Sequence, residues 1–431
     1  MRKKLFLSLL AGVVSLSSCY KKGVETAIKG KGTLLDTTLN TPLATVKFDN
    51  GVKKQFTIGY GSGAYHSSKD PYYIVYTISD RGVNIDCDED KEIIGEDVCE
   101  TGKIFPVPDF GPHIFKLKLD FNNNTVTVLK VIPLKDDLGL PVSGISNTER
   151  DDTPYDIHGY RLPYDQSGLD TEAIVKTKNG DFWISDEYSP SIVHVSKDGK
   201  IIARYVPKGL KLPQARYKVI EALPSILLKR HKNRGIEAIA ISPDEKYLYF
   251  AMQSPLDNPD SKTYKKSRFV RVFKMEIANP ENIKEYVYTL DTPDTFLLDH
   301  KKKQNKVKVS EMRCLGDDTL LILERVSKTT KLYKVNLKNA KPLPKEFDTD
   351  TRPTLEEMGI GVLADYPSDV IKDSVLKKEL ILDTGKANEK FPSKIEGLGI
   401  IPEKNLFMIN DNDFGITGKK THIKVIHLNN L

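Results

Sequence analysis

The chain has 431 residues, 39% hydrophobic and 29% charged, the balance of a soluble globular protein with ample material for a large core. Its formal charge is +6, and only +3 once Arg2, Lys3 and Lys4 are set aside as leader, which is too little to point to nucleic acid. Beyond the leader no stretch is apolar enough to cross a membrane.

Residues 1–18 read as an export signal: a basic start, then an apolar run from Leu5 to Leu16 that is too short for a stable anchor. Leu16-Ser17-Ser18-Cys19 fits a lipobox, with Cys19 lipidated as the mature N-terminus. The alternative is an ordinary signal peptide with an incidental cysteine. The expectation is a body in the bacterial cell envelope, held to the membrane through that lipid alone. Residues 19–32 are polar and suit a flexible tether, and 33–431 form the folded domain. In an oxidising compartment Cys87 and Cys99, which share one polar loop, are expected to form a disulfide. Cys314 lies in an apolar strand pattern and reads as a buried free thiol.

Outer strands are predicted near 33–48. A first sheet opens at Tyr60-Gly61-Ser62-Gly63 and continues through Tyr73–Ile78 and a hairpin around Asn122-Asn123-Asn124. After it one phrase recurs, in which an acid precedes a small or apolar pair, a turn and a second apolar strand. Its copies are Asp170–Ile174, Gly235–Ile239, Val309–Met312 and Lys394–Leu398. The period of roughly 65 to 85 residues reads as the blades of a β-propeller with long loops. The fold class is therefore all-β, with five clear blades. A sixth built from weaker segments is the alternative, and the N-terminal strands supply the missing outer strand of the last blade. Three insertions interrupt the pattern, at 83–112, 206–234 and 343–376.

Centring each hairpin on its turn places Glu172 opposite Glu187, Glu237 opposite Met252, Glu311 opposite Glu324 and Glu396 opposite Asp411. Equivalent positions on innermost strands point to one axis, so a ring of carboxylates is expected at one end of a channel. Crowded, buried carboxylates repel one another, and a hard divalent cation relieves that through oxygen ligands. The expected metal ligands are Glu172, Glu187, Glu237, Glu311, Glu324, Glu396 and Asp411, with Ca²⁺ as the ion. The competing reading has these acids pairing with Arg81, Arg234 and Arg325 to fix the packing of the blades.

Ser79-Asp80-Arg81-Gly82, Asp170-Thr171-Glu172-Ala173, Asp181–Tyr188, Asn233–Glu237, Gln253–Leu256, Leu323-Glu324-Arg325 and Asn410–Gly415 together resemble the bacterial phytase-like propeller family. The resemblance runs over about residues 58–430 in the right order. It implies an exported propeller with esterase-like activity of the phytase type, related to calcium-dependent phosphoester hydrolases. Ala173 and Ala238 stand where the family commonly has Gly, whereas Gly397 keeps it. The expected catalytic groups are Glu237, Arg81, Arg234 and Arg325, the arginines steadying an anionic substrate. His158 and His231 have no evident partner in the sequence. The segment Asp86–Asp97 departs from a calcium loop at Lys91 and reads as a disulfide-closed polar loop. A small anionic or ester substrate and a monomeric protein are expected. The rival readings are a non-catalytic binding propeller and a lactonase-like calcium propeller.

Overall fold

The structure is a computed structural model and describes residues 32–300, 302–349, 351–429 and 431. The leader, the Cys19 lipidation and nearly all of the tether lie outside these residues. Among the described residues the fold is all-β, with only short helical turns, and it is of the propeller type. Among the described residues no helix is long and apolar enough to cross a membrane.

Five sheets carry the architecture. The first holds Gly63–Tyr65, Ile74–Ile78, His113–Asp120 and Thr125–Pro133, and the second begins with Thr171–Lys176 and Phe182–Asp186. The third runs Ile236–Ile241, Tyr247–Met252, Phe269–Glu276 and Ile283–Thr289. The fourth runs Lys308–Gly316, Thr319–Arg325, Thr330–Asn336 and Lys378–Asp383. The fifth joins Ile395–Ile401, Asn405–Asn410 and Thr421–His427 to the N-terminal strand Thr33–Leu39. Within each sheet, buried apolar residues dominate the inner strands, as a strand covered on both faces requires.

The first strands of consecutive sheets are neighbours, and the first strand of the fifth lies against that of the first. Apolar clusters fill the spaces between adjacent sheets. The largest spans the second to fourth, and smaller ones sit between first and second, fourth and fifth, and fifth and first. The inner strands approach so closely that a Cβ on Gly63 would lie 2.6 Å from Glu172 O and 2.7 Å from Ala173 Cα. That crowding explains the small residues Ala64, Ala173, Ala238 and Gly397 on facing strands.

The predicted register differs in detail. In four sheets the hairpin is interrupted by a β-bulge near the start of the first strand. Thr171 pairs with Asp186 but Ile174 with Ile184; Ile236 with Met252 but Ala238 with Ala251. Val309 pairs with Glu324 but Glu311 with Leu323; Ile395 with Asn410 but Gly397 with Ile409. Arithmetic from the turns assumes a regular ladder centred on the turn; in the second, fourth and fifth sheets the ladder is one residue off that centre even before the bulge, and only in the third does the bulge alone displace the acid.

The insertions are also more ordered than their composition suggests. Val219–Leu223 adds a parallel fifth strand to the second sheet. Residues 83–112 contain a small sheet, Ile85–Asp86 with Lys103–Ile104, and a turn of helix at Asp90–Ile94. Cys87 and Cys99 are disulfide-bonded across this lobe, and Cys314 is a half-buried free thiol. Asp90 accepts the backbone N–H of Val98 at 2.7 Å and of Cys99 at 3.2 Å, so it staples the loop.

Candidate functional site at the bulged end of the inner strands

A bulge turns one extra side chain out of the pleat, and four sheets use it at the same end of the fold. The bulge residues are Glu172, Glu237, Ser310 and Glu396. On the paired strands the corresponding exit positions are Glu187, Gln253, Arg325 and Asp411. Two residues before each bulge stand Asp170, Gly235, Lys308 and Lys394. These rows converge on a cavity of about 250 Å³, lined by Asp80, Glu172, Glu187, Glu237, Glu396 and Asp411 and by Arg81, Arg234, Lys308 and Lys394. Gly235 is required here, because a Cβ would lie 2.3 Å from Glu187 O.

Several non-glycine residues at this end adopt left-handed backbone: Ser189, Asn233, Lys394, Asp413 and Phe414, with φ between 42° and 56°. Such conformations cost energy and gather where side chains must be aimed. The lobe closed by the disulfide supplies Asn84, Asp86 and Lys103 to the cavity wall, with Lys103 bonded to Asp86 at 2.8 Å and to Asn84 at 3.0 Å.

One side of the cavity is acidic. Single carboxylate oxygens of Glu172, Glu187 and Glu237 lie within 4.8 Å of one another, as do those of Asp80, Asp170 and Glu172. All are buried except Asp80, which is half-buried. Burial, then the charges of Glu237, Asp170 and Glu187, push the Glu172 carboxyl well above its usual range. Burial likewise pushes Glu237 up to about 7, against the opposing pull of Lys308. Asp170 is raised well above the usual range by burial, although Arg81 binds one of its oxygens at 2.8 Å; its Oδ1 has no hydrogen-bond partner. An all-oxygen donor set, a deficit of positive charge and an orphaned buried oxygen fit a hard divalent cation.

The other side is basic. Arg234 is held by Tyr264 at 3.2 Å and Gln253 at 2.6 Å, and Gln253 in turn bonds Glu237. Lys394 bridges Asp411, at 2.7 Å, and Asp413. Burial would raise the Asp411 carboxyl, but Lys394 holds it well below the usual range. Lys308 lines the same cavity, and burial with the charges of Arg325 and Arg234 lowers its pKa well below the usual value. Lys308 and Lys394 escaped the sequence reading, although each stands two residues before its bulge as Asp170 does.

Several expected site residues lie elsewhere. Glu311 is not a bulge residue; it is fully buried and paired with Arg313 at 2.6 Å. Ser310 takes the equivalent place and donates to Glu237 Oε1 at 3.3 Å. Glu324 accepts from Tyr288 at 2.7 Å, the Asp291 N–H at 2.6 Å and Lys378 at 3.0 Å, so it serves the packing between strands. The Arg325 guanidinium spends its donors on Ser310, Val326 O and Glu396, and it is not part of the cavity lining. Arg81 does reach the cavity, bound to Asp170, Tyr188 and Asn233. His158 and His231 have partners after all, Asp49 and Asp257, each at 2.9 Å. Arg230, from the basic insertion, forms a buried pair with Asp151.

Comparison with known proteins adds three kinds of likeness. A curated secreted protein of Arthroderma benhamiae, itself uncharacterized, is 32% identical over 179 residues, covering 37% of this chain and 34% of that one. The match thus spans about a third of that relative's length. Among solved structures, regucalcin, a calcium-binding protein of Agrobacterium tumefaciens, aligns over 86% of this chain and 95% of its own at 12% identity and TM-score 0.33. The PQQ-bound aldose sugar dehydrogenase of Streptomyces coelicolor aligns over 93% and 97% at 8% identity and TM-score 0.34. Likenesses at this level do not bear on the chain's chemistry. A family model, phytase-like with the description "Esterase-like activity of phytase", matches residues 97–414. That span contains Glu172, Glu187, Glu237, Lys308, Lys394 and Asp411, all but the Asp80–Glu89 edge of the cavity's charged lining, and on it the chain belongs to the phytase-like family.

Proposed function

We propose that the chain is an exported, lipid-tethered hydrolase of small phosphate esters, built as a five-bladed propeller whose last blade the N-terminal strand completes. The observation that carries this reading is the two-sided cavity, with three buried carboxylates facing Arg234, Lys308 and Lys394. A cation site beside an anion site is what a phosphate ester with its metal requires.

Glu172, Glu187 and Glu237 would hold the cation, with Asp80 and Asp170 beside them, and oxygen ligands favour Ca²⁺ over softer metals. When bound, such a cation polarises a phosphoryl oxygen and makes water a better nucleophile. The chain's own groups do the rest. Arg234, Lys308 and Lys394 bind and orient the anion, and Arg81 fixes Asp170. The disulfide-closed lobe and Phe414 complete the lining of the cavity.

The test uses the soluble protein beginning after Cys19. Calorimetry is expected to show Ca²⁺ binding, chelator-sensitive turnover of 4-nitrophenyl phosphate, and loss of both in Glu172→Gln and Glu237→Gln with the fold intact. Phosphate should inhibit. A lactone or carboxylic ester as true substrate would show turnover that phosphate leaves unchanged. Absence of Ca²⁺ binding together with indifference to chelator would leave a non-catalytic binding propeller.

A further inference from the structure

At the bulged end, two segments beside the third and fourth sheets hold apolar side chains out to solvent. Leu297 and Leu298, in the loop between Thr289 and Lys308, are each 46% exposed. Val362, Leu363 and Tyr366, in the insertion packed along the third sheet, are 72%, 55% and 81% exposed. Single exposed residues of this kind are ordinary, but clusters of them mark surfaces that meet something.

Both segments are pinned, so the display is fixed. Asp299 accepts the backbone N–H groups of Lys328 at 2.9 Å and Thr329 at 2.7 Å, and the Leu298 N–H donates to Thr329 Oγ1 at 3.0 Å. One guanidinium joins the two segments: Arg268 donates to Leu290 O at 2.8 Å and to Asp365 at 2.7 Å. The Lys394 N–H, bonded to Ser327 O at 2.7 Å, ties the same corner to the cavity wall.

Each segment also has lysines beside it. Lys302, Lys303 and Lys306 follow the two leucines, and Lys265 and Lys266 lead into Ser267, which pairs with Ile360 just before the Val362 turn. All five lysines are exposed, and among the described residues none has an ion-pair partner. The disulfide-closed lobe, which also lines the cavity, carries the opposite sign, with Asp88, Glu89, Glu92 and Glu100 exposed.

We propose that this corner of the bulged end docks on an anionic phospholipid bilayer. Leu297, Leu298, Val362, Leu363 and Tyr366 enter the boundary between headgroups and acyl chains, and the five lysines meet lipid phosphates. A bilayer suits that combination without requiring a complementary shape, because buried apolar area and attraction to anionic headgroups add. The same surface repels the acidic lobe, so the third and fourth sheets face the lipid and the lobe faces away. This inference rests neither on the phosphate-ester reading nor on a lipid at Cys19.

The experiment uses the soluble protein beginning after Cys19, which carries no lipid, in sedimentation with vesicles of phosphatidylcholine alone or with roughly one-third phosphatidylglycerol. Binding is expected to the mixed vesicles, weakening as salt rises. Leu297→Ser with Leu298→Ser should weaken it about tenfold, and Lys302→Ser with Lys303→Ser about thirtyfold at low salt. All four side chains are at the surface, and unchanged thermal unfolding certifies the variants. Lys47→Ser with Lys53→Ser removes the same charge from the hairpin packed on the disulfide-closed lobe and should change binding little. Equal losses from the two lysine pairs would reduce the effect to overall charge. No loss from the leucine pair would deny insertion, and no sedimentation with mixed vesicles at low salt would deny docking. Each of these three results would overturn the proposal.

Discussion

Replacing Arg313 by Met is expected to be among the most damaging single changes in the protein. Arg313 is 2% exposed and ties four inner strands together. It donates to Leu398 O at 2.6 Å, Ile239 O at 2.8 Å, Met312 O at 2.5 Å and Ala64 O, and it pairs with both oxygens of Glu311. Methionine fills much of the volume but donates nothing. It leaves Glu311, fully buried and already pushed upward by burial, without a counter-charge. Stranding one member of a buried pair costs about 3–5 kcal/mol, and water entering from the cavity that Arg313 lines at the opposite ends of the inner strands recovers part of the lost carbonyl bonding. Urea unfolding with an unchanged m-value is the assay. The double variant Arg313→Met with Glu311→Leu removes the stranded charge and should regain about 2 kcal/mol over the single one, a coupling that separate sites would not show. A loss under about 1 kcal/mol in the single variant, or no recovery in the double, would refute the claim that this pair organises the axis. Loss of Ca²⁺ binding in folded Glu311→Gln would refute its exclusion from the metal site.

Other outcomes follow from the same geometry. Glu237, raised by burial to about 7, favours the cation-free fold when protonated. Its contribution is therefore present below the unfolded value and lost as pH rises through about 7, amounting to at most about 3 kcal/mol. Thermal unfolding without calcium should accordingly weaken from pH 5 to 8, while Ca²⁺ affinity rises over the same window and protons are released on binding. Lys308→Met should raise the phosphate inhibition constant about tenfold while leaving Ca²⁺ affinity within a few-fold, as expected for a lost hydrogen-bond donor. Substituting Cys87 and Cys99 by Ser should loosen the lobe locally by about 2–3 kcal/mol, seen as faster hydrogen exchange over residues 84–104 with little change in the inner strands.

The repeat was legible because each copy pairs an apolar strand with a turn and an acid. The N-terminal strand was legible too, since the last repeat lacks an outer partner. What stayed hidden was the bulge. Val309-Ser310-Glu311 and Gly235-Ile236-Glu237 align by their glutamates on paper, yet the structure aligns Ser310 with Glu237, because pairing counts residues between ladder contacts rather than matching types. That single shift moved Glu311 and Glu324 out of the expected site and concealed Lys308. The partners of His158 and His231 are 109 and 26 residues distant, in loops whose paths no local signal reveals.

The pairing of Thr33–Leu39 with Thr421–His427 also governs when the molecule can finish folding. Asp36 reaches both His422 and Lys424, the latter 388 residues away at 3.2 Å. A nascent chain therefore holds an unpaired leading strand until its last segment is delivered. Sheets formed earlier can assemble in order, but the fifth needs both ends at once. Deleting Thr33–Leu39 or Thr421–His427 would strip the fifth sheet of its outer or its third strand, exposing a free backbone edge to other chains, so these two strands are segments whose loss the fold should tolerate poorly.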